Sequence, residues 1–346
     1  LPKRTDEPGK VRDGYRNYLG LCSHEYFHTW NIKRIKPAAF TPFDLSQEVH
    51  TELLWAFEGI TSYYDDLSLT RTGLIAPQSY LELLGQTLSR VYRGQGRHKQ
   101  TVTESSFDAW TRFYKQDENA PNAIVSYYAK GSLVALALDL TLRERTNDAR
   151  SLDDLMRLLW QRHGQTGVGV PEQGVQALAE EIAGCDLGDF FNQALYRTED
   201  LPLEALLAER GVTVNWRPAD GHSDNGGKPG KSRAPVHLGA RFASDPQGAR
   251  LQVAYEQGAA MEAGLAAGDV VVAVDGLKAS AGNLDTLLAG YQEGERVDVH
   301  AFRRDELMRF TVTLAASEAD TAYLTLDGDG LSAKGRAWLL GTESKV

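Results

Sequence analysis

Along the first two thirds of the chain, apolar positions recur at three- and four-residue spacings; after about residue 235 they alternate, so the pattern predicts helices followed by strands. Gly14 to Trp30 contains no proline and sets Tyr15, Tyr18, Leu21, Cys22, Tyr26 and Phe27 at mixed helical spacings, which predicts a largely buried helix with Cys22 as small core filler. Leu53 to Tyr64 reads as a second buried helix with Glu58 as a lone carboxylate in an otherwise apolar run. Pro77 opens a third, striped by Tyr80, Leu83, Leu84 and Leu88 and ended by the glycines of Arg93-Gly94-Gln95-Gly96. A long apolar helix begins at Ser126-Tyr127-Tyr128-Ala129-Lys130-Gly131 and runs through Leu142. Leu152, Leu155, Leu158 and Leu159 mark another with Ser151 as its N-cap, and Pro171–Ile182 and Leu187–Leu195 read as two more.

Composition changes at Pro218. Arg217 to Ala234 is too polar and glycine-rich to bury a core and reads as a linker or exposed loop, with His222 in solvent. Beyond it, Leu251, Val253 and Tyr255 alternate as a half-buried strand, Ala263 to Gly276 gives a helical turn, a buried strand and an Asp-Gly turn, and Leu284, Leu287, Leu288 and Tyr291 mark a helix. Val297 to Leu314 reads as a hairpin turning at Arg304-Asp305-Glu306. Asp327-Gly328-Asp329-Gly330 invites a calcium reading, but position twelve of such a loop is Trp338 instead of glutamate, so a turn before a short C-terminal helix is expected. The domains this predicts are residues 1–216, a linker at 217–234, a small β-rich domain at 235–316 and a tail at 317–346.

The 346 residues exceed one typical domain, and 42% hydrophobic with 24% charged residues is ordinary for a globular chain. A net charge of -10 argues against nucleic-acid binding, and no segment is long and apolar enough for a membrane span. Two distant cysteines imply no disulfide framework, which favours a reducing, cytoplasmic compartment while leaving a periplasmic one open. Arg93 to Lys99 lacks the Gly-Lys-Ser/Thr ending of a phosphate loop and reads as a solvated basic turn.

The chemistry concentrates in His24-Glu25-Tyr26-Phe27-His28. On a helix, residues four apart share a face, so two imidazoles can hold one tetrahedral zinc while the intervening glutamate lies beside it. A catalytic site of this kind needs a third protein ligand. Glu58 is the best candidate because an unpaired buried carboxylate is costly and coordination removes that cost; Glu48 and Glu52, nearer the polar start of the same segment, compete with it. No Gly-x-Ser-x-Gly elbow is present, and Cys185 has no histidine near it in sequence.

His24 to Asn31, the following Lys33-Arg34-Ile35-Lys36-Pro37 and the Trp55–Tyr64 block together resemble the glycyl aminopeptidase family of gluzincin metallopeptidases, over about Asp13 to the end of the chain. The resemblance implies a multi-domain α+β protein: a mainly helical, thermolysin-like catalytic domain followed by a PDZ-like domain. It implies one zinc per chain held by His24, His28 and Glu58, with Glu25 as general base. The Tyr-x-Lys-Gly segment makes Tyr128 the phenol that supports the tetrahedral intermediate. The expected activity is release of small amino-terminal residues from a peptide or protein substrate, with rivals in an endopeptidase or a catalytically incomplete fragment that binds peptides. Leu238-Gly239-Ala240 resembles the loop by which PDZ domains receive a peptide carboxylate, with alanine replacing the usual second glycine. The family also carries a β-rich region upstream of the motif; the start at Leu1-Pro2-Lys3-Arg4 leads to the expectation of an N-terminally truncated chain lacking that partner domain.

Overall fold

A computed structural model of the chain describes residues 11–42, 44–230, 236–328 and 330–341. The start at Leu1–Arg4, the last linker residues 231–234, Asp329 and the tail end past 341 lie outside the described residues, as do the expectations placed on them.

Ten helices come first: α1 (Asp13–Phe27), α2 (Ile60–Arg71), α3 (Pro77–Arg93), α4 (Val102–Phe107), α5 (Ala120–Ala123), α6 (Ala129–Arg145), α7 (Leu152–Leu159), α8 (Gly174–Ala183), α9 (Gly188–Tyr196) and α10 (Leu203–Ala208). A π-helical turn, Trp55–Gly59, leads into α2, so Glu58 stands on a widened turn at its entrance. Helix α6 is the axis of this unit, buried continuously from Ala129 to Arg143. Its first turn lies directly on the π turn, because both facing positions are glycine. A Cβ built on Gly59 would sit 2.4 Å from the carbonyl carbon of Gly131, and one on Gly131 would sit 3.2 Å from the Cα of Gly59. The carboxylate of Asp139, buried inside, is matched: the Tyr63 hydroxyl donates to it at 2.5 Å, and Arg143 Nε donates to it at 3.1 Å.

The chain continues through β1 (Val212–Arg217), β2 (Val236–His237), β3 (Ala240–Ser244), β4 (Ala249–Ala254), α11 (Ala259–Glu262), β5 (Val270–Val274), β6 (Leu277–Lys278), α12 (Leu284–Leu288), β7 (Arg296–Arg303), β8 (Glu306–Thr313), β9 (Ala315–Ala316), β10 (Thr321–Leu326) and α13 (Ala333–Leu339). Strands β3-β4-β5-β7-β8 form one antiparallel sheet, with β6 beside β5. Strand β3 is its edge. A second apolar core, separate from the helical one, fills this sheet and includes Leu251, Val271, Leu284, Val299 and Val312. The hairpin turns where expected, with Arg303 opposite Glu306.

Four expectations change. Helix α1 buries only Arg16 and Gly20, while Leu21 is 59% and Tyr26 66% exposed and Cys22 is exposed. Apolar residues lie all around this helix; Leu19 and Phe27 pack at the edge of the core, Phe27 stacked on Tyr64 at 5.1 Å, and the most buried contacts are small and polar: Gly20 sits against Asp66, and Arg16 donates to Ser79 Oγ at 2.8 Å and Glu82 at 3.1 Å. Arg93 to Lys99 is no solvated turn; Arg97 bonds Asp200 at 3.1 Å and stacks over Tyr92, and Gly96 is buried. The 217–230 segment is only partly in solvent: Gly226 and Gly227 pack on α3, the Gly227 N–H donates to Ala322 O at 2.7 Å and His222 is held by Asp285 at 2.9 Å, while Ser223, Asn225 and residues 228–230 stay exposed. The tail contributes β10, whose register runs from Val212↔Leu326 to Arg217↔Thr321. Together with the Trp338 Nε1–H donating to the Tyr63 hydroxyl at 2.9 Å, that strand returns the chain end to the helical unit.

Candidate functional site

Helix α1 ends one residue before His28, whose backbone stays helical, so His24 and His28 still project from one face. The π turn brings Glu58 across from them. His24 Nε2 and His28 Nε2 lie 3.1 Å apart, and Glu58 Oε2 lies 3.4 Å from the first and 3.2 Å from the second. These separations suit the edges of a tetrahedron around an ion bound at about 2.0–2.2 Å. Among the described residues this is the one group of three or more His, Cys, Asp or Glu donors close enough to share a metal. Glu58 Oε2 is buried and accepts no well-aligned hydrogen bond, which is the signature of an oxygen awaiting a cation. Of the competitors, Glu52 meets Tyr196 and Glu48 stands 3.9 Å from His50, both away from the imidazole pair.

The outer ring nitrogens are fixed as well. His24 Nδ1 faces Asp65 Oδ2 at 3.2 Å, and His28 Nδ1 donates to Asn31 O at 2.9 Å. Asn31 is buried and its Nδ2 donates to Ala56 O at 3.0 Å and Phe57 O at 3.2 Å, which ties the histidine turn to the Glu58 turn. Burial alone would lower the pKa of His24, but the carboxylates of Asp65 and Glu58 beside the ring outweigh it and hold it at about 9. His28 is raised too, its burial outweighed by Glu58 and Asn31. Burial pushes Glu58 upward, but the two imidazoles win and hold it down at about 2. A proton and a cation therefore compete for the same Nε2 atoms beside an ionised carboxylate.

Glu25 is exposed and makes no hydrogen bond or ion pair with the described residues. Tyr128, at the entrance of α6, stacks with its ring centroid 6.4 Å from that of His24. Its hydroxyl lies 3.3 Å from that of Tyr114, and burial raises its pKa, so it stays a protonated donor. Leu238 and Gly239 lie far along the chain, between β2 and β3, and Ala240 opens β3. Gly239 has φ of 63°, and its N–H donates to His237 Nδ1 at 2.7 Å. The sequence reading missed Asp65 and Tyr114 and assigned Asn31 no role. Asp65 follows Glu58 by seven residues, about two helical turns along one face, a spacing that marks it in retrospect.

Two imidazoles and a carboxylate converging from a helix and a facing π turn form a group that could hold one metal ion. Residues 17–134 match the model of the M61 glycyl aminopeptidases. A crystal structure of an aminopeptidase N family protein from Idiomarina loihiensis is 43% identical, with a TM-score of 0.92, over 97% of this chain and 57% of that one. The chain is thus similar to the M61 glycyl aminopeptidases over residues 17–134, and it spans little more than half the length of that solved relative. A serine endoprotease from Yersinia pestis overlaps 25% of this chain and 31% of its own at 18% identity and a TM-score of 0.23, an overlap too shallow to say anything of function. No curated protein matches the chain.

Proposed function

We propose that the chain is the metal-bearing part of a zinc-dependent aminopeptidase that removes small amino-terminal residues, glycine or alanine, from peptides. The observation that carries this reading is the convergence of His24 Nε2, His28 Nε2 and Glu58 Oε2 within 4.8 Å of one another, with Glu58 Oε2 lacking a hydrogen bond. Zinc in that triangle would supply a Lewis acid for water and a substrate carbonyl. Glu25, next to a ligand and unencumbered, takes the proton from the attacking water and passes it to the leaving amine. The Tyr128 hydroxyl, protonated and on a ring stacked 6.4 Å from that of His24, donates to the oxyanion that develops on the carbonyl oxygen. Asp65 and Asn31 hold the imidazoles in the tautomer that leaves both Nε2 atoms free. The β unit, in the same proposal, is a PDZ-like domain whose Leu238-Gly239-Ala240 loop faces a peptide carboxylate.

The test is a matched pair of variants assayed on amino-terminally free and blocked peptides. Glu25→Gln is expected to retain one zinc per chain by atomic absorption and lose about 10²–10⁴-fold in turnover, whereas Glu58→Ala loses the metal. Wild-type protein that binds no stoichiometric zinc sinks the reading; cleavage of blocked and free peptides alike would make it an endopeptidase.

A further inference from the structure

Between the helical unit and the β unit lies a cavity of about 750 Å³. One wall is the groove between edge strand β3 and helix α12, floored by Phe242, Leu284 and Leu288. The opposite wall is α3 with the loop after α5, represented by Arg90 and Ile124. The two walls are fastened together outside the groove: buried Asn122 donates to Ala254 O at 2.8 Å and accepts from the Glu256 N–H at 2.9 Å, and Lys99 pairs with Glu256.

Most charges around the cavity are already matched. Arg93 pairs with Asp320, Arg97 with Asp200, and Asp285 with His222. Arg90 and Arg241, one from each wall, are exposed and make no ion pair or hydrogen bond with the described residues. Glu318 is the one acidic lining side chain left without an ion pair among the described residues, so the unmatched lining is cationic in a chain of net charge -10. In the loop at Leu238-Gly239-Ala240 the Gly239 N–H is already given to His237 Nδ1, so a carboxylate there gains from cationic partners beyond the loop. Strand β3 nevertheless has a neighbour on one side only, which leaves an edge for strand addition. Beyond Phe242 the groove is closed: His222 sits edge-on to that ring, 6.0 Å between centroids, and is held there by Asp285 at 2.9 Å.

We propose that this cavity is a composite site for a short extended peptide bearing a carboxylate, which pairs with Arg90 and Arg241 while about three residues, near 10 Å of strand, lie along β3. The inference rests on the β unit being a peptide receptor and adds that the helical unit supplies half of the site. A guanidinium meets a carboxylate through two parallel hydrogen bonds, so either a chain end or an Asp or Glu side chain satisfies the pair.

The experiment uses the full chain carrying Glu25→Gln, so that no probe is consumed. Three fluorescein-labelled, amino-terminally acetylated alanine pentapeptides ending in valine are compared by anisotropy: one with a free carboxylate, one amidated, and one amidated with an internal aspartate. The free acid is expected to bind better than the plain amide, and Arg90→Glu to weaken it about tenfold or more with no change in thermal unfolding; Arg90→Gln, which keeps the side chain's length, should give a smaller loss. Binding of the aspartate peptide equal to that of the free acid supports the site and identifies a side-chain carboxylate as its ligand; weaker binding assigns it to the chain end. Equal binding of acid and plain amide, or indifference to Arg90→Glu, overturns the composite site. In that case a loss on Gly239→Val would leave the simple loop reading standing, and absence of all peptide binding removes both.

Discussion

Helix α1 and the segment from Trp55 through α2 meet along one seam and hold the site between them, yet they are built on opposite plans. The Trp55–Arg71 segment buries Trp55, Phe57, Ile60, Tyr63, Tyr64 and Leu67, and its position is dictated by core packing on α6. Helix α1 keeps Leu21 and Tyr26 in the open, fully buries only Arg16 and Gly20, and adds partly buried Leu19 and Phe27 at the rim of the core beside the histidines. The candidate ligands fall on the seam, at 14%, 13% and 17% side-chain exposure for His24, His28 and Glu58, enclosed enough for strong electrostatics yet still reached by solvent. One side of the site is thus held by apolar burial, and the other by hydrogen bonds reaching across to it. Substitutions should separate the two plans sharply.

The largest effect is expected at Asp66, where the polar seam is under strain. Burial, and then the charge of Asp65, push its carboxyl from 3.8 up to about 7. A carboxyl raised in the folded state contributes stability that is complete below its unfolded value and is lost as pH rises through about 7. Asp66→Asn, neutral at every pH, should therefore gain on the parent between about pH 4 and 7 and level off above, reaching on the order of 3–4 kcal/mol. Urea unfolding of the metal-free proteins from pH 4 to 8 measures it; a constant difference across that range would show that Asp66 is not held neutral. On the packed side the next effect follows. Gly59→Ala places a Cβ within 2.4–2.8 Å of three Gly131 backbone atoms, so the π turn and α6 must part, at a cost of about 3 kcal/mol. Because Glu58 rides on that turn, zinc affinity should fall with stability, and unaltered affinity would uncouple Glu58 from the packing.

How much of this was legible beforehand depends on how far each residue acts along the chain. His24 and His28 could be paired because helical spacing fixes their relation, and Glu58 stood out because a carboxylate in an apolar run has few ways to be satisfied. Asp65 left only a faint trace, its seven-residue spacing from Glu58, and Tyr114 none: it acts through one side chain brought close by tertiary packing, and nothing local distinguishes it from an ordinary aromatic. The burial of α1 was misread for a related reason. Counting apolar residues says how much could be buried, but Leu21 and Tyr26 show that it does not say which side meets a partner. His222 was placed in solvent on composition alone, whereas Asp285, 63 positions later, claims it. The alternation of Ala322, Leu324 and Leu326 in β10 did lie in the sequence, and it went unused because the glycine-rich turn after it drew the eye.

The two smallest predictions probe the seam from its two faces. Asp65→Asn removes the carboxylate behind His24 Nδ1 while preserving its size, so the fold should persist and zinc affinity should fall about 10–100-fold by competition with a chromogenic chelator. An undiminished affinity would mean that α1 alone sets the ring. Leu21→Ser, on the open face of the same helix and one turn before the metal-binding face, should change stability by no more than about 0.5 kcal/mol and leave zinc affinity untouched. A serine there removes apolar surface that this chain leaves in water, so nothing in the helical core is lost and the exposed helix becomes more polar. A destabilisation of several kcal/mol at Leu21 would show instead that α1 is held by its apolar side, and the contrast between a packed half and a hydrogen-bonded half of the site would fail.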